Sequence, residues 1–275
     1  MKGDKTGMTK KSTAGFLIAI AMMATFYGIG ILANALGLSG MAAGILITIV
    51  RYSLGMGGII SMTKLYGTDF RFRGKDVLKG IFSLQGVILM VFCLLNAFTE
   101  YVRPEIGLVQ AIPGILLMII YEFATGFFEE ALFRGTLFNT FKKQFGEDRK
   151  GVLKAIAFSS IIFGAIHITN LITQPTLIIA TSCQILYAIG LGIIFACAYY
   201  ITNNIWVAVI MHGLFDAAGS FWSCFIDTTK ELAASTQVQD ISILEGAVGV
   251  AGCMIFAAVG LFLLFREFGK RKIAA

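Results

Sequence analysis

Charge is scarce in this sequence. Only 14% of its 275 residues are Asp, Glu, Lys or Arg, whereas 57% are hydrophobic. A soluble domain carries about 25% charged residues. This chain therefore lacks the polar surface needed to face water over most of its area, and lipid has to take water's place. The same scarcity excludes a disordered or collagen-like chain. Prolines number three, and Pro113 and Pro175 are expected at helix starts or ends, where a missing N–H is tolerated. There are five cysteines, none in a CxxC pair, and four lie inside apolar runs; neither a disulfide framework nor a thiolate metal site is expected. No stretch alternates with period two, which excludes a β-barrel. The net charge of +6 does not indicate a nucleic-acid partner, because the basic residues sit in short loops between apolar runs and read as a topology signal.

What the sequence has is apolar runs of the length that spans a bilayer core, ~20 residues as a helix. Candidates lie at about 14–36, 41–62, 78–98, 108–133, 154–173, 177–200, 204–222 and 244–265. The first is too long for a signal-peptide core and lacks a convincing cleavage site, so it is expected to be a permanent helix. The segment 133–153 is amphipathic and basic and is expected on the membrane surface; 223–243 is polar and expected outside the membrane. Eight spans place both termini on one side. That side then holds Lys2, Lys5, Lys10 and Lys11; Lys64, Arg71, Arg73, Lys75 and Lys79; Arg134, Lys142, Lys143, Arg149, Lys150 and Lys154; and Arg266, Lys270, Arg271 and Lys272. The other side holds Arg103 and Lys230, and Arg51 lies within the second span. By the positive-inside rule both termini are cytoplasmic. The expected fold is all-α: a single integral membrane domain over 1–275, multi-pass in the cell membrane, with about eight transmembrane helices.

A charge inside a membrane helix is expensive and persists mostly where it is paired or functional. Those within or beside the spans are Arg51, Glu122, Glu129, Glu130, Arg134, His167, His212 and Asp216, and they include both histidines of the chain. Glu130 and Arg134 are four apart and share a helical face, as an ion pair requires. That leaves Glu129, about 100° around the helix, free for another partner. Glu122 lies seven residues before Glu129, two turns along the same face. Phe163 and His167 are four apart on the next helix, and His212 and Asp216 four apart two helices later. A carboxylate so placed can fix the tautomer of an imidazole. At 1.5 Å per residue, Glu129 lies ~20 Å from Lys142, His167 ~20 Å from Lys154 and His212 ~13 Å from Asn203, so the three can meet at one level inside the membrane.

A glutamate and two imidazoles are the parts for activating water: the carboxylate as general base, a histidine to hold water or donate to an oxyanion. The same Glu129, His167 and His212 also allow a Zn2+ ion with an open position, although no His-Glu-x-x-His pair is present. Glu-Glu-x-x-x-Arg at 129–134, Phe-x-x-x-His at 163–167 and His-x-x-x-Asp at 212–216 resemble the three motifs of the CPBP intramembrane proteases, which comprise the type 2 CAAX prenyl proteases and bacteriocin-processing Abi enzymes. Order, spacing and helix placement agree over about 125–220. The resemblance implies hydrolysis of a peptide bond in the membrane, near its cytoplasmic side. Glu129 and His167 would activate water. His212 and Asp216 would stabilise the oxyanion, and Glu130, Arg134 and Phe163 would shape the site. A metal-free glutamate mechanism is preferred over a Zn2+ metalloprotease. Asp216 stands where prenyl proteases have Asn, and an ionised Asp cannot donate to an oxyanion; it is then either protonated, or an orienting group for His212, or a support for a metal-bound histidine.

The implied partners are a membrane peptide or protein substrate and the lipid bilayer, with no nucleic acid. One alternative is a non-proteolytic immunity or regulatory protein that binds a bacteriocin or a sensor kinase in the membrane. Another is a proton-coupled transporter, against which the absence of an internal repeat counts.

Overall fold

The computed structural model describes residues 9–227 and 240–273. Among these the chain is helical, with no strand. In order come α1 (Lys10–Ala35), α2 (Gly40–Tyr66), α3 (Gly74–Ile81), α4 (Leu84–Thr99), α5 (Leu108–Glu130), a π-helical segment (Ala131–Phe138), α6 (Asn139–Phe145), α7 (Arg149–Ala165), a 3-10 turn (Ile166–Thr169), α8 (Asn170–Thr173), α9 (Ile178–Thr202), α10 (Ile205–Ser220), a second 3-10 turn (Phe221–Phe225) and α11 (Ile243–Ile273). Seven stretches of the described residues are long and apolar enough to cross a membrane, and α3 with α4 makes an eighth if the bent pair is one span. The protein is thus a multi-pass membrane protein, as its composition requires. Its large apolar side chains point both ways. Phe127, Phe128, Phe138, Phe163, Phe195 and Met211 fill the interior, while Leu17, Ile31, Phe98, Val109 and Ile172 stand exposed on the outer face, where lipid replaces water.

Local sequence sets the helix ends. Thr9, Ser83, Asp148 and Asn204 each accept a backbone N–H of the first turn they precede. Gly67 closes α2 in the left-handed conformation at φ 71°. α9 and α10 are joined by two residues: Asn203, left-handed at φ 51°, and Asn204, the cap.

Four expectations need correction. The run 78–98 is not one straight span: α3 and α4 meet at 69°. Ser83 restarts the helix by accepting from Gly86 N and donating to Gly80 O. A Cβ at Gly86 would lie 2.1 Å from Ile81 O, so the turn needs glycine there. Secondly, 133–153 does not lie on the surface as a unit. The fourth span runs on from Leu108 to Phe145, and Ala131–Phe141 is buried throughout. Arg134 loses its surface character because Glu130 pairs with it. Polar groups here find partners within the segment and on α9: Thr136 Oγ1 donates to Ala131 O, and Asn139 Nδ2 contacts Arg134 O, Gly135 O and Tyr199 Oη. Thirdly, His167 sits in the 3-10 turn after α7, not in a regular helix. Finally, Pro113 is inside α5, beyond its first turn. Of the polar loop expected at 223–243, residues 228–239 fall outside the described residues.

One crossing positions the site. α5 and α10 meet at Gly126 and Gly213, where a Cβ on Gly126 would lie 2.8 Å from Gly213 N and 3.2 Å from its Cα. Membrane helices have no hydrophobic drive toward each other, so small residues that let backbones touch decide such approaches. The contact holds Glu129 and Glu130, one turn after Gly126, beside His212. Gly126→Val is therefore expected to destabilise the detergent-solubilised protein by about 1–3 kcal/mol. Gly57→Ala, where nothing lies within 4 Å, should change stability by less than about 0.5 kcal/mol. Thermal unfolding of both variants checks this, and equal stability of the two would refute the crossing.

Candidate active site

At the end of α5 the chain carries two adjacent glutamates that face different surroundings. Glu130 is completely buried. Its Oε1 accepts from Arg134 Nη1 at 2.9 Å and lies 2.8 Å from His212 Nδ1. A carboxylate can only accept, so Nδ1 carries the hydrogen and donates. Arg134, also buried, donates from Nη2 to Gly192 O at 3.0 Å and lies over the Phe163 ring at 4.6 Å. Phe195 stacks on the His212 imidazole at 4.7 Å and 18°. One ion pair thus ties the π-helical segment to α9 and α10 and fixes the plane of a histidine.

Glu129 faces outward from this buried line. Its Oε2 is 3.6 Å from His212 Nε2, and Asp216 Oδ2 is 3.4 Å from the same nitrogen. Glu129, His167, His212 and Asp216 all line a cavity of about 640 Å³, together with Phe163. Phe163 meets both imidazoles edge-on, at 5.7 Å from His167 and 5.8 Å from His212. The cavity has apolar walls from Phe92, Leu95 and Phe256 and a polar side with Asn96, Glu122 and Ser220.

All seven residues that the motifs single out therefore converge. Five line the cavity, while Glu130 and Arg134 lie behind it. Arg51 does not line the cavity: its guanidinium lies over Tyr121 at 4.4 Å and Phe26 at 5.6 Å, while its charge acts on Asp216. The sequence did not reveal the Glu130–His212 contact, which spans 82 positions, nor Phe195 and Gly192. Closely spaced glycines in a membrane helix, such as Gly190 and Gly192, signal packing alone, and one phenylalanine among 24 carries no signal at all. Among the described residues no group of three or more His, Cys, Asp and Glu side chains is arranged to hold a metal ion. The Zn2+ reading of Glu129, His167 and His212 gains no support from this arrangement.

The buried pair generates a stability prediction. Arg134→Leu strands the Glu130 carboxylate in the interior and is expected to cost about 3–5 kcal/mol. Adding Glu130→Gln removes the stranded charge and should recover part of that loss. Unfolding of the single and double variants in mixed micelles measures both; additive losses would show that the two groups do not interact.

Residues 111–218 match the family model described as type II CAAX prenyl endopeptidase Rce1-like. No curated protein and no solved structure matches the chain. The matched segment runs from α5 to α10 and contains Glu129, Glu130, Arg134, Phe163, His167, His212 and Asp216. Over that segment, about two fifths of its length, the chain is similar to the CAAX-type intramembrane endopeptidases, and the match supports the resemblance to the CPBP family.

Proposed function

We propose that the protein hydrolyses a peptide bond in a membrane-associated peptide or protein, with Glu129 as the general base that activates water. The observation that carries this reading is the contrast between the two neighbouring glutamates. The Glu129 side chain is 22% exposed and opens on the cavity; the Glu130 side chain is 0% exposed and closed off by Arg134 and His212. Only one of them can reach a water and a substrate.

A water held between Glu129 and His167 gives its proton to the Glu129 carboxylate as its oxygen attacks the scissile carbonyl carbon. The tetrahedral oxyanion accepts from Nε2–H of His212 in its imidazolium form, while Nδ1–H stays on Glu130. Glu129 then returns the proton to the departing amine as the C–N bond breaks. Glu130, backed by Arg134, keeps the ring in orientation. Asp216, 3.4 Å from Nε2, acts on His212 by charge and needs no donor of its own. In this role Asp serves where Asn would have to donate directly. The apolar cavity walls favour a segment that is itself lodged in the bilayer, cut on the side of the basic loops.

Glu129→Gln is expected to lower kcat by about 10²–10⁴ with little change in KM, and His167→Ala should fall in the same range, while both variants insert and fold as the parent does. Proteomics of membrane peptides in cells carrying either form, followed by kinetics on a peptide so found, provides the measurement. Full turnover by Glu129→Gln would sink the mechanism.

A further inference from the structure

Glu122 is the carboxylate of α5 that neither the buried ion pair nor the water-activating group uses. It lines the same cavity as Glu129. Its Oε1 accepts from Ser220 Oγ at 2.7 Å, a contact that satisfies a lone pair but does not neutralise a charge. Among the described residues no Lys or Arg lines the cavity, and Arg51, whose guanidinium lies over Tyr121, acts by charge on Asp216. A membrane-embedded carboxylate without a cation is expensive, and such a residue points to a ligand that supplies the missing charge. The other carboxylates nearest the chemistry, Glu129 and Asp216, already face the His212 ring. Glu122 has no such partner, and around it the cavity offers Asn96 and Ser220, whose oxygens can accept from a cationic donor, in place of the phenyl rings that form the apolar walls.

Distance sets what can reach it. Seven residues of α-helix separate Glu122 from Glu129, about 10 Å along the axis. Three residues of extended peptide cover about the same length. A substrate strand lying along α5 with its scissile carbonyl at Glu129 brings its third residue from the cut level with Glu122. We propose that Glu122 is a specificity determinant that accepts the ammonium or guanidinium of a Lys or Arg in the substrate, about three residues from the scissile bond. This rests on the endopeptidase reading and adds the charge class of the substrate to it.

The test uses the full chain in liposomes, challenged with a proteome-derived peptide library, with cut sites read by mass spectrometry. The wild-type protein should enrich Lys or Arg at the third residue, give or take one, on one side of the cut. Peptides found in this way are then resynthesised with Lys or norleucine at that position. In Glu122→Gln, which keeps the size of the side chain and its contact with Ser220, the Lys-to-norleucine ratio of kcat/KM should fall roughly tenfold or more, the scale of a close charge pair. The ratio is internal to each preparation, so loss of folded protein does not alter it. Glu122→Lys should shift the enrichment toward Asp and Glu. Cleavage without a charge preference near that position overturns the proposal, as does a preference that survives in Glu122→Gln. If the wild-type protein cuts nothing in the library, the endopeptidase reading itself fails and this inference falls with it.

Discussion

A single carboxylate oxygen, Glu130 Oε1, receives two donors inside the helical bundle: the guanidinium of Arg134 at 2.9 Å and the imidazole of His212 at 2.8 Å. Neither helix-borne charge could stay in so apolar a place alone, and each partner left without the other would carry the full penalty of burial. The consequences spread from this point. Arg134 reaches on to the Gly192 carbonyl of α9, so three elements are fixed by one charge. His212 is left with a single free edge, and that edge faces Glu129 and Asp216. In a bundle whose outer surface is as greasy as its interior, burial of apolar groups cannot choose which helices touch. Buried hydrogen-bonded charge and the Gly126–Gly213 approach make that choice instead.

The neighbouring glutamates show how one dipeptide serves two purposes. Adjacent residues on a helix point about 100° apart. Glu130 is turned into the bundle and becomes structural, and Glu129 is turned into the cavity and becomes available for chemistry. Their side chains differ in nothing but surroundings. Phe163 and Phe195 complete the arrangement, with Arg134 over one ring and His212 stacked on the other, so that the polar line is walled by aromatic faces.

Much of this was legible in the sequence because it depends on local spacing. Apolar runs of bilayer length yielded the spans, and the four-residue step from Glu130 to Arg134 yielded their pair. The same 3.6-residue period separated Glu129 from Glu130. What could not be read depends on partners far along the chain. The Glu130–His212 contact joins residues 82 apart, and no periodicity encodes it. The bend between α3 and α4 arises from a cap at Ser83 inside an apolar run that a hydropathy window averages away. The burial of residues 134–141 was misread because Arg134, Thr136, Asn139 and Thr140 look like surface residues when counted singly. Each of them finds a partner or a buried place within the bundle, and a composition count cannot register that cancellation. The sequence places Arg51 mid-span with no local partner; in the bundle the flat faces of Tyr121 and Phe26 meet part of its need, contacts that no spacing along the chain encodes.

The π-helical stretch Ala131–Phe138 acts as a phase adjuster between the two ends of one long span. Its wider turn sets the angle between Glu129 and Glu130 on one side and the basic residues Lys142 and Lys143 on the other. A regular α-helical path through the same residues would rotate these ends past each other, turning the glutamates away from His212 if the far end kept its place. Loss or gain of one residue here is therefore a different kind of change from a substitution. It leaves every side chain in the alphabet and puts half of them on the wrong bearing, so this short stretch should tolerate exchanges of apolar residues far more readily than any change of length.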